Sequence, residues 1–431
     1  MSVDTPSPAP DAQHPTRPAA RKAGGGLRPW LVWGVGVGAY FMAMLHRNSL
    51  GVAALAAQER FDVGPALLST LPMLQLLVYV ALQVPSGVLA DRLGPRRTLL
   101  IGLVSMTVGV GMFALAPTIH VALLGRLCIG LGDALTFLNV IRLVALWFPR
   151  SQYALVSALT GVMGGLGQLA SVAPLSAALR AMGWAPAFLA AGGVTALMIG
   201  LVALVVRDRP AGSAPPPAEA SLSVLASIRE ALRAPGPRAG MAHHAAAMGP
   251  YTMLTVLWGY PFLVEGMGMS PDTATLLLTG LGLATLWISP ALGAVVGRYP
   301  GVRRPFATVF VTVFSLGWLA LVAWPGGPPV PFVVAVLVAS ATGGVITPAL
   351  SLDFARDGIP AHRTGVASAL VNVAGFTTTV FATVSAGVIL ELLPEPHGGA
   401  DFQLAFVPLA VMTAFAAVTL LVVLRRYPSR R

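Results

Sequence analysis

Four ionisable residues sit where an otherwise apolar chain leaves little room for charge. His46 and Arg47 interrupt the run YFMAMLHRNSLGVAA, and Arg126 and Asp133 stand seven apart at the ends of RLCIGLGD. A guanidinium offers paired N–H donors that match a carboxylate or a phosphate. An imidazole or a carboxylic acid can take a proton and release it. The chemistry available is therefore to hold an anion and to move a proton. No nucleophile stands with a base, no glycine-rich phosphate loop appears, and no His, Cys, Asp or Glu spacing suits a metal. Catalysis, ATP coupling, a metal and other cofactors are not expected.

These residues need helices to bring them together. Seven residues make about two helical turns, so Arg126 and Asp133 should project from one face about 10 Å apart, with Gly130 clearing room beside them. Without substrate, Asp133 is expected either to pair with Arg126 or to take a proton. Tyr40 lies seven before Arg47 and shares its face; Gln75, Gln168 and Asn372 are amides in other apolar runs; Tyr251 and Trp258 are seven apart. Arg47, Arg126, Tyr40, Gln75, Gln168, Tyr251, Trp258 and Asn372 form the expected binding set. Asp133 and His46 are the expected proton carriers. Arg142 falls on nearly the opposite face from Arg126 and is expected to snorkel or to pair outside the site.

The helices must cross a bilayer. The chain has 431 residues, 56% of them hydrophobic and only 10% charged, and its mean hydropathy is +0.78. That is more apolar surface than a soluble core can hide. Apolar runs of crossing length fall near 29–54, 66–90, 97–116, 119–147, 152–179 and 184–206, then 241–264, 271–297, 305–324, 330–352, 362–391 and 402–424. The net charge of +11 is not a nucleic-acid footprint, because Lys and Arg crowd into the alternate gaps and the two tails. Arg60 and Arg180 alone occupy the opposite loops, and Arg47, Arg126 and Arg142 lie within runs. This bias places both termini in the cytoplasm. The single Cys128 cannot form an internal disulfide.

The expected organisation is an all-α membrane protein with twelve transmembrane helices. A disordered cytoplasmic tail (1–28) precedes a six-helix bundle (29–206), a cytoplasmic linker (207–240), a second six-helix bundle (241–426) and a short tail (427–431). In the linker, Leu222, Leu225, Ile228 and Leu232 recur opposite Ser227, Arg229, Glu230 and Arg233, which predicts a short amphipathic helix on the membrane surface. After the second run stands Gly87-Val-Leu-Ala-Asp91-Arg92-Leu-Gly94-Pro-Arg96-Arg97; after the eighth, Gly293 to Arg304 echoes it with Gly297 in place of the acid. The echo marks a duplicated unit with a site between its halves. Asp353 is placed either to partner Arg298 or Arg303 or to face solvent.

The Gly87–Arg97 stretch, together with Arg126-x-x-x-Gly130-x-Gly132, resembles the signatures of the major facilitator superfamily, over residues 29–426. The resemblance implies two pseudo-symmetric six-helix bundles and alternating access, with protons and a small-molecule substrate as partners in the lipid bilayer of the cytoplasmic (inner) membrane. A monomer is expected. It implies a cytoplasmic gate of Gly87, Asp91, Arg92, Gly94, Arg96 and Arg97, in which Asp91 bonds the N-terminal end of the eleventh helix. Gly87 and Gly94 suit close packing and a turn. An Arg after an ionisable residue in the first helix is similar to organic-anion branches, although His46 stands where they carry an acid. Two other branches fit less well. Drug–proton antiporters carry Gly-Pro-x-x-Gly-Gly on the fifth helix, where this chain has Ala173-Pro174-Leu175-Ser176; nitrate carriers share twin arginines but have Asn- and Gly-rich helices not clearly reproduced here.

Overall fold

A computed structural model describes residues 26–210, 224–360 and 364–426. Among them every regular element is helical. The first half comprises α1 (Leu27–Asn48), α2 (Leu50–Phe61), α3 (Pro65–Ala81), α4 (Gln83–Leu93), α5 (Pro95–Leu115), α6 (Ile119–Ala134), α7 (Phe137–Trp147), α8 (Arg150–Ala170), α9 (Ala173–Met182) and α10 (Trp184–Val205). The linker holds α11 (Val224–Arg233). The second half begins with α12 (Pro235–Met253), which continues through a π-helical turn, α13 (Gly259–Pro261) and another π-turn to Gly266. It goes on through α14 (Pro271–Arg298), α15 (Arg303–Ala323), α16 (Val330–Arg356), α17 (Thr364–Glu391), α18 (Gly399–Ala405) and α19 (Val407–Arg425).

Seven helical segments among the described residues are long and apolar enough to cross a membrane, and Pro65–Ala81 and Val330–Gly344 are shorter apolar ones. Several expected crossings are broken: α1 and α2 meet at Ser49, α3 and α4 at Leu82, α6 and α7 at Leu135 and Thr136. Large apolar side chains stand outward along the helices, with Leu204 83% and Phe415 73% exposed. An apolar surface of this kind needs lipid, not water, around it.

Small residues set the helix spacing. A Cβ on Gly102 or Gly132 would meet the other's carbonyl, and Gly109 and Gly125 stand in the same relation, so α5 and α6 touch backbone to backbone. Without a hydrophobic drive between helices in lipid, such close dispersion contact is what holds them. A Cβ on Gly130 would strike the Gln75 carbonyl at 2.6 Å, so this glycine lets α6 lie against α3.

The halves are locked together on the face remote from the ends of α1 and α19. A Cβ on Gly387 of α17 would strike the Pro65 carbonyl and the Ser69 side chain of α3. Gly51 of α2 abuts the Thr255 carbonyl in the first π-turn. The Glu391 carboxylate, at the end of α17, accepts the Ala66 N–H at 3.2 Å. Arg180 and Asp272 add an exposed ion pair at 3.5 Å.

The linker helix α11 docks through its small residues. Ser227 (3% exposed) and Ala231 (1%) face the protein, while Leu225 (76%) and Leu232 (49%) point outward. Ala231 packs with Ala355, Ala367 and Val371. Small residues allow close docking on α17, and the leucines are left for the surrounding apolar phase. Leu222 and residues 1–25 and 427–431 lie outside the described residues; Leu27 and Arg28, expected in the tail, open α1.

Candidate functional site

The break between α1 and α2 builds the site. Asn48 Nδ2 donates to the Met44 carbonyl (2.8 Å) and Ser49 Oγ to the His46 carbonyl (2.9 Å). Side chains that bond their own backbone in this way loosen the helical ladder. Arg126 uses the opening: its Nη1 donates to the His46 carbonyl (3.1 Å) and to Gln75 Oε1 (3.0 Å), and its Nη2 to Ser49 Oγ (3.3 Å). Its guanidinium also lies over the Phe113 ring, 4.1 Å from the centroid. The residue is fully buried, and among the described residues it forms no ion pair.

Asp133 ends α6 at a second break, where Thr136 donates both its hydroxyl and its N–H to the Asp133 carbonyl. Its carboxylate is fully buried and takes two bonds from Arg47, from Nε and from Nη2, each 2.7 Å. The expected Arg126–Asp133 pair is thus replaced by Arg47–Asp133. Helical side chains lean toward their own N-terminus. Arg126 and Asp133 therefore lean the same way and keep their two-turn separation, while Arg47 reaches in from α1. The Arg47 guanidinium lies 4.2 Å from the Tyr79 centroid and 5.8 Å from that of Phe376 on α17. It is 10% exposed and belongs to the seam between the halves.

Beside that seam lies a cavity of about 790 Å³ of empty space, part of it continuous with solvent, lined from both halves. Asn48, Gln168, Tyr251, Thr285 and Ser340 supply polar atoms, and Gln168 Nε2 donates to Tyr251 Oη across the halves at 2.8 Å. Gln168 and Tyr251 are the two members of the expected set that line it. Tyr40 packs on Phe137 with centroids 5.1 Å apart and against Gly164. Gln75 serves Arg126. Asn372 lies half-buried on α17, away from the cavity lining. Trp258 is not a cavity residue, since its indole donates to the Thr383 carbonyl at 2.9 Å inside the second half. His46 turns from the cavity to Thr195 Oγ1 at 2.7 Å. Tyr79 and Phe376 were missed from sequence; Tyr79 stands four residues after Gln75 and so shares its face.

The Gly87–Arg97 stretch folds as a tight turn. Gly94 has φ of +82°, which favours glycine, and a Cβ there would meet the Asp208 carboxylate. The Arg96 N–H donates to Asp208 Oδ1 at 2.7 Å, and its guanidinium to the Ala203 carbonyl. Arg92 and Arg97 are exposed. A Cβ on Gly87 would sit 3.6 Å from Leu138, an ordinary contact, so close packing does not require glycine there. The Asp91 side chain lies outside the described residues. In the second copy, Arg303 pairs with both Asp353 and Asp357.

A sequence profile of the Major Facilitator Superfamily matches residues 36–383. A probable sulfoacetate transporter, SauU, of Cupriavidus necator is 24% identical over 171 residues, 40% of each chain. The nitrate/nitrite transporter NrtP of a Picosynechococcus species is 30% identical over 133 residues, 31% of this chain and 24% of that one. A putative tartrate transporter of Agrobacterium vitis is 28% identical over 181 residues, 40% of this chain and 39% of its own. These alignments span two fifths or less of the relatives' lengths. Among solved structures, an inward-facing, unoccupied bacterial homologue of the human lysosomal transporter Spinster superposes with a TM-score of 0.72 at 15% identity, covering 95% of this chain and all of that one. A D-xylose–proton symporter superposes with a TM-score of 0.70 at 15% identity, covering 91% and 97%. With its helical fold, its apolar exterior and a cavity between two halves, the chain belongs to the Major Facilitator Superfamily and is a multi-pass membrane transporter, not an enzyme.

Proposed function

We propose that this secondary transporter couples protons to the movement of a small organic anion, a carboxylate or a phosphate, across the inner membrane, working as a monomer with both termini in the cytoplasm. The observation that carries the reading is the bidentate Arg47–Asp133 pair at the seam between the halves. Protonation of Asp133 removes the partner that occupies both arms of the guanidinium. An arriving anion then takes that place, so the pair gains one proton and one negative charge and its net charge is unchanged. A balanced pair can rock between openings in lipid, where an extra charge at mid-bilayer costs about 2.5 to 3.5 kcal/mol. The sulfoacetate and tartrate names among the relatives denote organic anions, which supports the same class.

The test is transport by protein reconstituted in liposomes. Asp133→Asn should retain exchange of anion for anion but lose accumulation driven by an imposed proton gradient. Arg47→Ala should lose both. Accumulation by Asp133→Asn equal to wild type would remove Asp133 from coupling.

A further inference from the structure

Resting on that reading, we infer that the anion carries a single charge and a sizeable apolar body, as an aliphatic or aromatic monocarboxylate does, and is not a small polyhydroxylated or doubly charged acid. The cavity decides this through its donors. Among the described residues that line it, none is charged. Its serine and threonine hydroxyls are committed to their own helices: Ser171 to the Gln168 carbonyl (2.6 Å), Thr285 to Gly282 (2.6 Å) and Ser340 to Val336 (2.7 Å), which leaves the Tyr251 O–H as the hydroxyl donor open to a ligand. Asn48 bonds Met44 and Gln168 bonds Tyr251. A hydrophilic dianion placed here would lose its water and find few N–H or O–H groups in exchange. The rest of the wall is Val52, Leu254, Leu281, Leu337 and similar side chains, which favour methylenes or a ring.

Of the two guanidiniums near the seam, only that of Arg47 is partly exposed. Arg126 is sealed by neutral acceptors, whereas Arg47 retains some exposure at the seam; it precedes the lining residue Asn48 in the chain, and its own side chain stands outside the cavity wall. One accessible cation calls for one negative charge, with the apolar body extending away from it between the halves.

The experiment is ligand-induced thermal stabilisation of the purified full-length protein, with dissociation constants read from the concentration dependence. The probes are straight-chain alkanoates from acetate to octanoate, benzoate, tartrate, sulfoacetate and hexanamide. Affinity for alkanoates should rise about fourfold per added methylene until the cavity is filled. Benzoate should bind more tightly than tartrate or sulfoacetate, and Arg47→Ala should abolish the alkanoate effect. Leu281→Ser, with its own melting point as the folding control, should flatten the chain-length dependence. Tighter, Arg47-dependent binding of tartrate or sulfoacetate would overturn the apolar body and leave the anion reading standing. Hexanamide binding as well as hexanoate, with no effect of Arg47→Ala, would overturn the anion reading instead. No stabilisation by any alkanoate would overturn the inference outright.

Discussion

At the scale of single residues, the two arginines near the seam are held on opposite principles. Arg47 has a buried counter-ion, and Arg126 has only neutral acceptors and an aromatic face. Removing one member of a buried ion pair strands the other and costs about 3 to 5 kcal/mol. Arg47→Met should therefore lower the melting temperature of the purified protein sharply, and the double change Arg47→Met with Asp133→Leu should recover most of the loss. Arg126→Met leaves no stranded charge and should be far milder. Equal destabilisation by the two single variants would show that the Arg47–Asp133 contact is not the one that matters. That both arginines and Asp133 lie in apolar runs was legible from the sequence. Which cation meets the acid was not, because the answer depends on how far Arg47 reaches from the broken end of α1.

At the scale of elements, α3 and α17 are clasped at one end by a carboxylate on a helix N-terminus. Glu391, closing α17, bonds the first turn of α3, where Gly64 leaves room for its carboxylate. The family resemblance implies the converse arrangement on the other face, with Asp91 at the end of one helix meeting the start of α17. Glu391 makes the corresponding contact at the opposite end of α17, tying it to the first turn of α3. A charge at an exposed helix end is worth about 0.3 to 1 kcal/mol, so its loss should shift the opening equilibrium about two- to fivefold. In a Cys128→Ala background, Glu391→Ala should raise by that factor the labelling of Ala341→Cys by an impermeant maleimide applied from that face. An unchanged rate would mean that Gly387 and Gly51 alone keep the face shut. At the α5–α6 crossing, Gly132→Leu should prevent tight packing altogether, and a normal yield of monodisperse protein would contradict the backbone contact seen there.

At the scale of the whole molecule, topology follows from where Lys and Arg lie. Turns rich in Arg resist translocation, and the alternate gaps carry nearly all of them. A fluorescent reporter that folds only in the cytoplasm should light up when fused after Arg431, and a fusion in the segment between α5 and α6 should stay dark. The linker helix shows how membrane context changes the rules. Its polar Ser227 turns inward and Leu225 outward, the reverse of an amphipathic helix docked on a soluble core and the orientation a helix at the membrane surface would use.

Length, hydropathy and charge spacing were enough to establish a helical membrane protein with duplicated halves, since bilayer thickness and the positive-inside bias act on local sequence. The glycine-rich turn at Gly94 and the ionisable residues inside crossings could be found in the same way, being local exceptions to an apolar rule. Tertiary structure decided the partners: Arg47 with Asp133, Asp208 with the Arg96 backbone, Arg303 with Asp353 and Asp357, Trp258 away from the cavity. Each depends on the rotation and depth of one helix against another. Those quantities come from side-chain packing between distant segments, which no single segment encodes.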